Sequence, residues 1–151
     1  MKNSFCIRLV FVALLLLVTP IYAAAPWIIR ISGDPLAKPI FMTDWHENQK
    51  LLVAVKQAAD VSEESLAKRP HLKLALFWGP DWINYTKSGK TLEQLRHEDG
   101  NQFGRFFPAY RGAEAVFTLD SPAPNHAPQR RRIDEDGLKL LKKYGLPLSL
   151  E

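Results

Sequence analysis

Leu72-Lys73-Leu74-Ala75-Leu76-Phe77-Trp78, followed by Gly79-Pro80, is the stretch on which the fold turns. In an extended chain Leu72, Leu74, Leu76 and Trp78 share one face, while Lys73, Ala75 and Phe77 share the other. Ala75 and Phe77 make the second face mostly apolar as well, so the pattern predicts a central strand covered on both sides. Gly79-Pro80 ends it.

The cover has to come from the flanking segments. Upstream, Trp27 to Ser32 is rich in isoleucine and stops at Gly33-Asp34-Pro35, the pattern of a strand closed by a turn. Thr43 or Asp44 offers a helix N-cap, with Glu47 three residues past Asp44, and Leu51, Leu52, Val55, Ala58 and Ala59 mark one face. The spacing predicts a helix from about Asp44 to Ala59. A short helix from Ser62 must stop near Pro70. Downstream, Thr91 to His97 reads as a short helix ended by Gly100, and Phe103–Phe107 and Ala113–Leu119 read as strands. Ser121 to Pro128, with three prolines, reads as a loop, and Arg130 to Ile133 as an edge strand. Asp134, Glu135 and Asp136 then open a last helix that carries Leu138 and Leu141 and ends at Gly145 and Pro147.

The order is strand, helix, strand, helix, two or three strands, helix. It predicts an α+β protein, a single-domain α/β sandwich in which a mixed sheet of about four strands carries packed helices. Phe77-Trp78-Gly79-Pro80-Asp81-Trp82 resembles the aromatic strand end that precedes the active site of the thioredoxin family. That resemblance implies a thioredoxin-like topology as the alternative. The two cysteines of that family are missing, so it implies no redox activity.

The first residues carry an address. Lys2 and Arg8 precede an apolar run from Leu9 to Val18, and Ala23-Ala24-Ala25 follows, the three-part layout of a secretory signal peptide. The run is shorter than the roughly 20 residues that cross a bilayer, so no stable membrane anchor is expected after cleavage. Pro26 disfavours a cut after Ala25, which places cleavage after Ala23 or Ala24, with residues 1–23 as leader and 24–151 as one globular domain. The expected location is the periplasm or the medium.

Loss of Lys2 and Arg8 reduces 20 basic residues to 18 against 16 acidic ones, a net +2 in place of +4. That balance and an exported location argue against nucleic acid as a partner. Cys6 lies in the leader, so the mature chain has no disulfide and no thiolate. All four tryptophans lie beyond the leader and can supply a core.

No motif assigns chemistry. Gly89-Lys90-Thr91 matches the tail of a phosphate-binding loop, but Asn84 stands where its first glycine belongs. His46-Glu47 resembles half of a zinc-protease helix motif, with Lys50 in place of the second histidine. His97-Glu98-Asp99 places a base beside two carboxylates, and neighbouring residues point in different directions. No catalytic residue, metal or cofactor is therefore assigned.

Phe103-Gly104-Arg105-Phe106-Phe107-Pro108-Ala109-Tyr110-Arg111 is the densest unusual segment. Arginine beside aromatic rings is the composition of binding hot spots, so Arg105, Phe106, Tyr110 and Arg111 are candidate binding residues, with Trp82 and Tyr85 as a second group. Alternation puts Phe103, Arg105 and Phe107 on one face and Phe106 on the other. Arg130-Arg131-Arg132 reads as a charged edge that blocks strand-to-strand aggregation. The expected function is non-catalytic binding of a protein or an anionic or glycan envelope component, of inhibitor, immunity or accessory type. The alternative is a cell-wall glycan or peptide hydrolase using carboxylates and histidine.

Overall fold

The computed structural model describes residues 25–58, 60–79, 85, 88–121 and 127–150. Among them the chain forms strands β1 (Ile28–Ser32), β2 (Ile40–Met42), β3 (Val55–Gln57), β4 (Leu72–Phe77), β5 (Gln102–Phe107), β6 (Val116–Leu119) and β7 (Gln129–Ile133). Helices are α1 (Trp45–Val53), α2 (Glu63–Ala67) and α3 (Glu135–Lys143), with two short 3-10 turns at Leu92–Gln94 and His97–Asp99. The leader lies outside the described residues.

All seven strands join one sheet in the order β2-β1-β4-β5-β6-β7-β3, and every pairing is antiparallel. This corrects the expected mixed sheet of about four strands, and it overturns the thioredoxin-like alternative, because β1 and β4 lie side by side and run in opposite directions. Two three-residue strands account for most of the difference. β2 follows Pro39 and is too short to show alternation. Val55 fits the apolar period of the preceding helix, yet α1 ends at Val53 and Val55 pairs with Ile133 instead. The expected edge at Arg130 to Ile133 is also corrected, since β3 covers β7. The helix expected from Thr91 is resolved into the two 3-10 turns.

Both N-caps read from the sequence operate. Asp44 accepts from the backbone N–H groups of His46 (2.9 Å) and Glu47 (3.2 Å), and Asp134 accepts from Gly137 N–H (2.9 Å). On the face covered by α1 and α3, Ile29, Ile31, Leu72, Leu74, Leu76, Phe106 and Phe117 form the main core together with Leu51 and Leu141. Phe106 and Phe117 lie opposite each other in register, with ring centres 5.1 Å apart.

α1 touches both β1 and β3, although four strands stand between them in the sheet. On a flat sheet those strands would be roughly 24 Å apart at about 4.8 Å per step. A nine-residue helix is only about 13 Å long, and Ala54 carries the chain from its end directly into β3.

The opposite face has two smaller apolar clusters at its ends. Ile28, Ala75 and Phe77 pack under Leu95 of the segment between the 3-10 turns, with Phe103 and Tyr85 against them. Phe107 and Val116 pack under Leu66 of α2. Between these clusters the sheet surface is polar.

Candidate functional site

That polar band is set by register. Ser32 pairs with Lys73, Lys73 with Arg105, Arg105 with Thr118, and Thr118 with Arg130, so one straight row crosses β1, β4, β5, β6 and β7. Directly opposed residues point to the same face, so all five side chains emerge on the side away from α1 and α3. Arg30, one step along β1 on that face, turns into the row and donates from Nη1 to Ser32 Oγ at 2.7 Å.

Charge in the row is unevenly balanced. Glu63, at the start of α2, accepts from Arg105 through Oε1 (3.0 Å) and from Arg130 through Oε2 (3.2 Å). Arg105 and Arg130 lie on strands that flank β6, so the Glu63 carboxylate bridges across the position of Thr118. Hydrogen bonding from Arg105 first, and from Arg130 after it, holds the Glu63 carboxyl below its ordinary value. Arg30 and Lys73 form no ion pair with the described residues, and Lys73 is exposed.

Five buried polar atoms on this face have no hydrogen-bond partner: Arg30 Nε, Arg69 Nε, His97 Nδ1, Thr118 Oγ1 and Arg130 Nε. Thr118 is fully buried, at 0% exposure. His97 stacks on Phe103 with centres 5.1 Å apart. Burial first, and the charge of Arg30 second, push its imidazole below the ordinary value, so it is neutral at pH 7. Buried polar groups are normally paired, so these atoms leave hydrogen-bonding capacity open beside cations that form no ion pair. A row of donors with surplus positive charge can hold an anion.

The residues singled out from sequence do not converge. Arg105 belongs to the row, and its guanidinium also lies 5.5 Å from the Phe107 ring centre. Phe106 is fully buried in the core on the other face. Tyr110 and Arg111 sit beyond the end of β5 in a tight turn, where Arg111 lies 5.0 Å over the Tyr110 ring. Tyr85 packs at the opposite end of the sheet, against the cluster of Ile28 and Phe77, with Lys90 5.5 Å from its ring. Trp82 lies outside the described residues.

The weighed motifs have structural uses. Asp99 accepts from the backbone N–H of Arg96 at 2.9 Å, which is the first cause holding its carboxyl below the ordinary range. Glu47 accepts from Lys143 Nζ and from the Tyr144 hydroxyl, each at 2.5 Å, and ties α1 to α3. A groove of about 710 Å³ runs beside this tie, with Glu47, Lys50, Asp136 and Lys139 along it. Its charges are mixed and its walls are the two helices. Among the described residues no group of three or more His, Cys, Asp or Glu side chains could hold a metal ion, and no helix is long and apolar enough to cross a membrane.

Reading by sequence passed over Arg30, Lys73, Thr118 and Glu63. A signal was present for two of them: Lys73 and Arg30 each interrupt an otherwise apolar strand, and a cation kept inside such a run faces something polar. Thr118 and Glu63 carry no comparable mark. Comparison with protein families, with curated proteins and with solved structures finds no match to this chain.

Proposed function

We propose that this chain is a binding protein of the cell envelope, periplasmic or secreted, that holds an anionic group of an envelope component on the cross-sheet row and performs no reaction on it. The row from Ser32 to Arg130 carries this reading: four cations, Arg30, Lys73, Arg105 and Arg130, stand together with one carboxylate, Glu63, shared between two of them. Each cation sits on a different strand of one sheet, so the backbone spacing of the four is fixed before anything binds. The layout of residues 1–23 supports the location.

Retention on immobilised dextran sulfate tests the reading. Arg30→Gln with Lys73→Gln is expected to elute at clearly lower salt than the wild type with an unchanged melting temperature, whereas Lys139→Gln with Lys142→Gln, which removes the same charge from α3, stays close to the wild type. Equal elution of the two double variants would reduce the effect to net charge and overturn the proposal.

A further inference from the structure

We infer that the anion taken by the row is tetrahedral, a phosphate monoester, and that it enters by displacing Glu63. The inference rests on the binding role proposed above and specifies its ligand. A carboxylate has two oxygens, and those of Glu63 are each committed to one arginine, Arg105 and Arg130. Neither oxygen reaches the hydroxyl of Thr118, which lies between those arginines in register, fully buried and without a partner. A tetrahedral group presents three oxygens to one side. It can accept from Arg105, Arg130 and Thr118 together, which completes the hydrogen bonding that the carboxylate leaves unfinished.

Charge points the same way. Glu63 is held on the same chain and competes at high local concentration, so an external carboxylate of equal charge gains nothing by replacing it. A phosphate monoester carries about −1.5 to −2 at pH 7 and gains both charge and a third acceptor. The neighbouring cations Arg30 and Lys73 lie on the approach from β1 and β4 and favour the more highly charged group. Glu63 itself is half exposed, with 50% of its side chain accessible, so it can swing away without opening the core.

Calorimetric titration of the mature chain at pH 7.5 with inorganic phosphate and with succinate, a dicarboxylate of similar charge, tests this. Phosphate is expected to bind about tenfold tighter than succinate, the worth of one added charge-assisted hydrogen bond. Thr118→Val keeps the shape of the side chain and is expected to erase that preference, and Glu63→Gln to tighten phosphate binding several-fold. Sedimentation with phosphatidylcholine vesicles containing phosphatidic acid, with and without free phosphate as competitor, tells a lipid headgroup from a soluble ester. Equal binding of succinate and phosphate, or a phosphate preference that survives Thr118→Val, overturns the ligand class and leaves the binding role standing. If neither anion binds and Arg30→Gln with Lys73→Gln elutes from dextran sulfate like its α3 control, the binding role itself fails.

Discussion

Asn48, in the middle of α1, donates its side-chain amide to the carbonyl of Pro26 at 2.9 Å, across 22 residues of sequence. The same amide reaches Trp27 O and Met42 O at 3.3 Å, and the side chain is fully buried. One residue thus fixes the entry to β1 and the exit from β2 against the helix. Asn48→Ala is expected to lower stability by about 1–3 kcal/mol, since it strands buried carbonyls. Asn48→Asp, which replaces the donor with an acceptor, should cost more. Urea denaturation measures both, and an unchanged midpoint for Asn48→Ala would remove this role.

Two glycines permit close approach. A Cβ on Gly104 would stand 2.2 Å from the backbone oxygen of Thr118, and neither strand can yield. On Gly137 it would meet Ile133 Cγ2 at 2.6 Å and Ala54 Cβ at 3.1 Å. In a helix Gly→Ala ordinarily gains about 1 kcal/mol. Here overpacking at about 1–3 kcal/mol outweighs the gain. Both Gly104→Ala and Gly137→Ala should melt lower than the wild type; a rise for Gly137→Ala would show that α3 is free to shift.

Arg111 occupies the left-handed region at φ 49°, followed by Gly112 at φ 81°, in the turn between Tyr110 and Ala113. A non-glycine residue pays about 1–2 kcal/mol for that conformation, whereas asparagine adopts it readily. Loss of the exposed stacking on Tyr110 takes back about 0.5–1 kcal/mol. Arg111→Asn is therefore expected to stabilise by up to about 1 kcal/mol, read by thermal melting. A destabilised variant would place the weight on the cation–ring contact.

Glu63 links stability to pH. Its carboxyl titrates below the ordinary 4.5 in the folded chain, so the contribution is fully present above pH 4.5 and is lost as the pH falls through the folded value. The group is half exposed, which keeps the effect small and sensitive to salt. The difference in melting temperature between the wild type and Glu63→Gln should shrink as the pH is lowered below 4.5. A difference that stays constant with pH would mean that the ion pairs add nothing.

Much of the sheet is readable because alternation is a strong signal wherever a strand is long enough. Leu72 to Phe77 shows both its faces in six residues, and the caps at Asp44 and Asp134 announce their helices. Ile40–Met42 and Val55–Gln57 are three residues each, and nothing in three residues separates a strand from a connection or from the end of a helix. The candidate site is hidden for a different reason. Lys73, Arg105 and Arg130 are scattered over nearly sixty positions and become neighbours only through strand register, which long-range pairing decides. Thr118 is an ordinary strand threonine until the arginines on either side of it are known.

The sheet is opened and finished by the same stretch of chain: β1 and β2 form one margin, and β3, just beyond α1, forms the other. Val55 has no strand to join until Ile133 exists, and β1 has no inner neighbour until residues 72–77 have been made. A nascent chain can therefore pair β1 and β2 with β4 at about its midpoint, whereas closure at β3 is an end-stage event of high contact order. Ribosome-tethered chains cut short of Ile133 should remain protease-sensitive around residues 55–57, with resistance there arriving only when β7 is released.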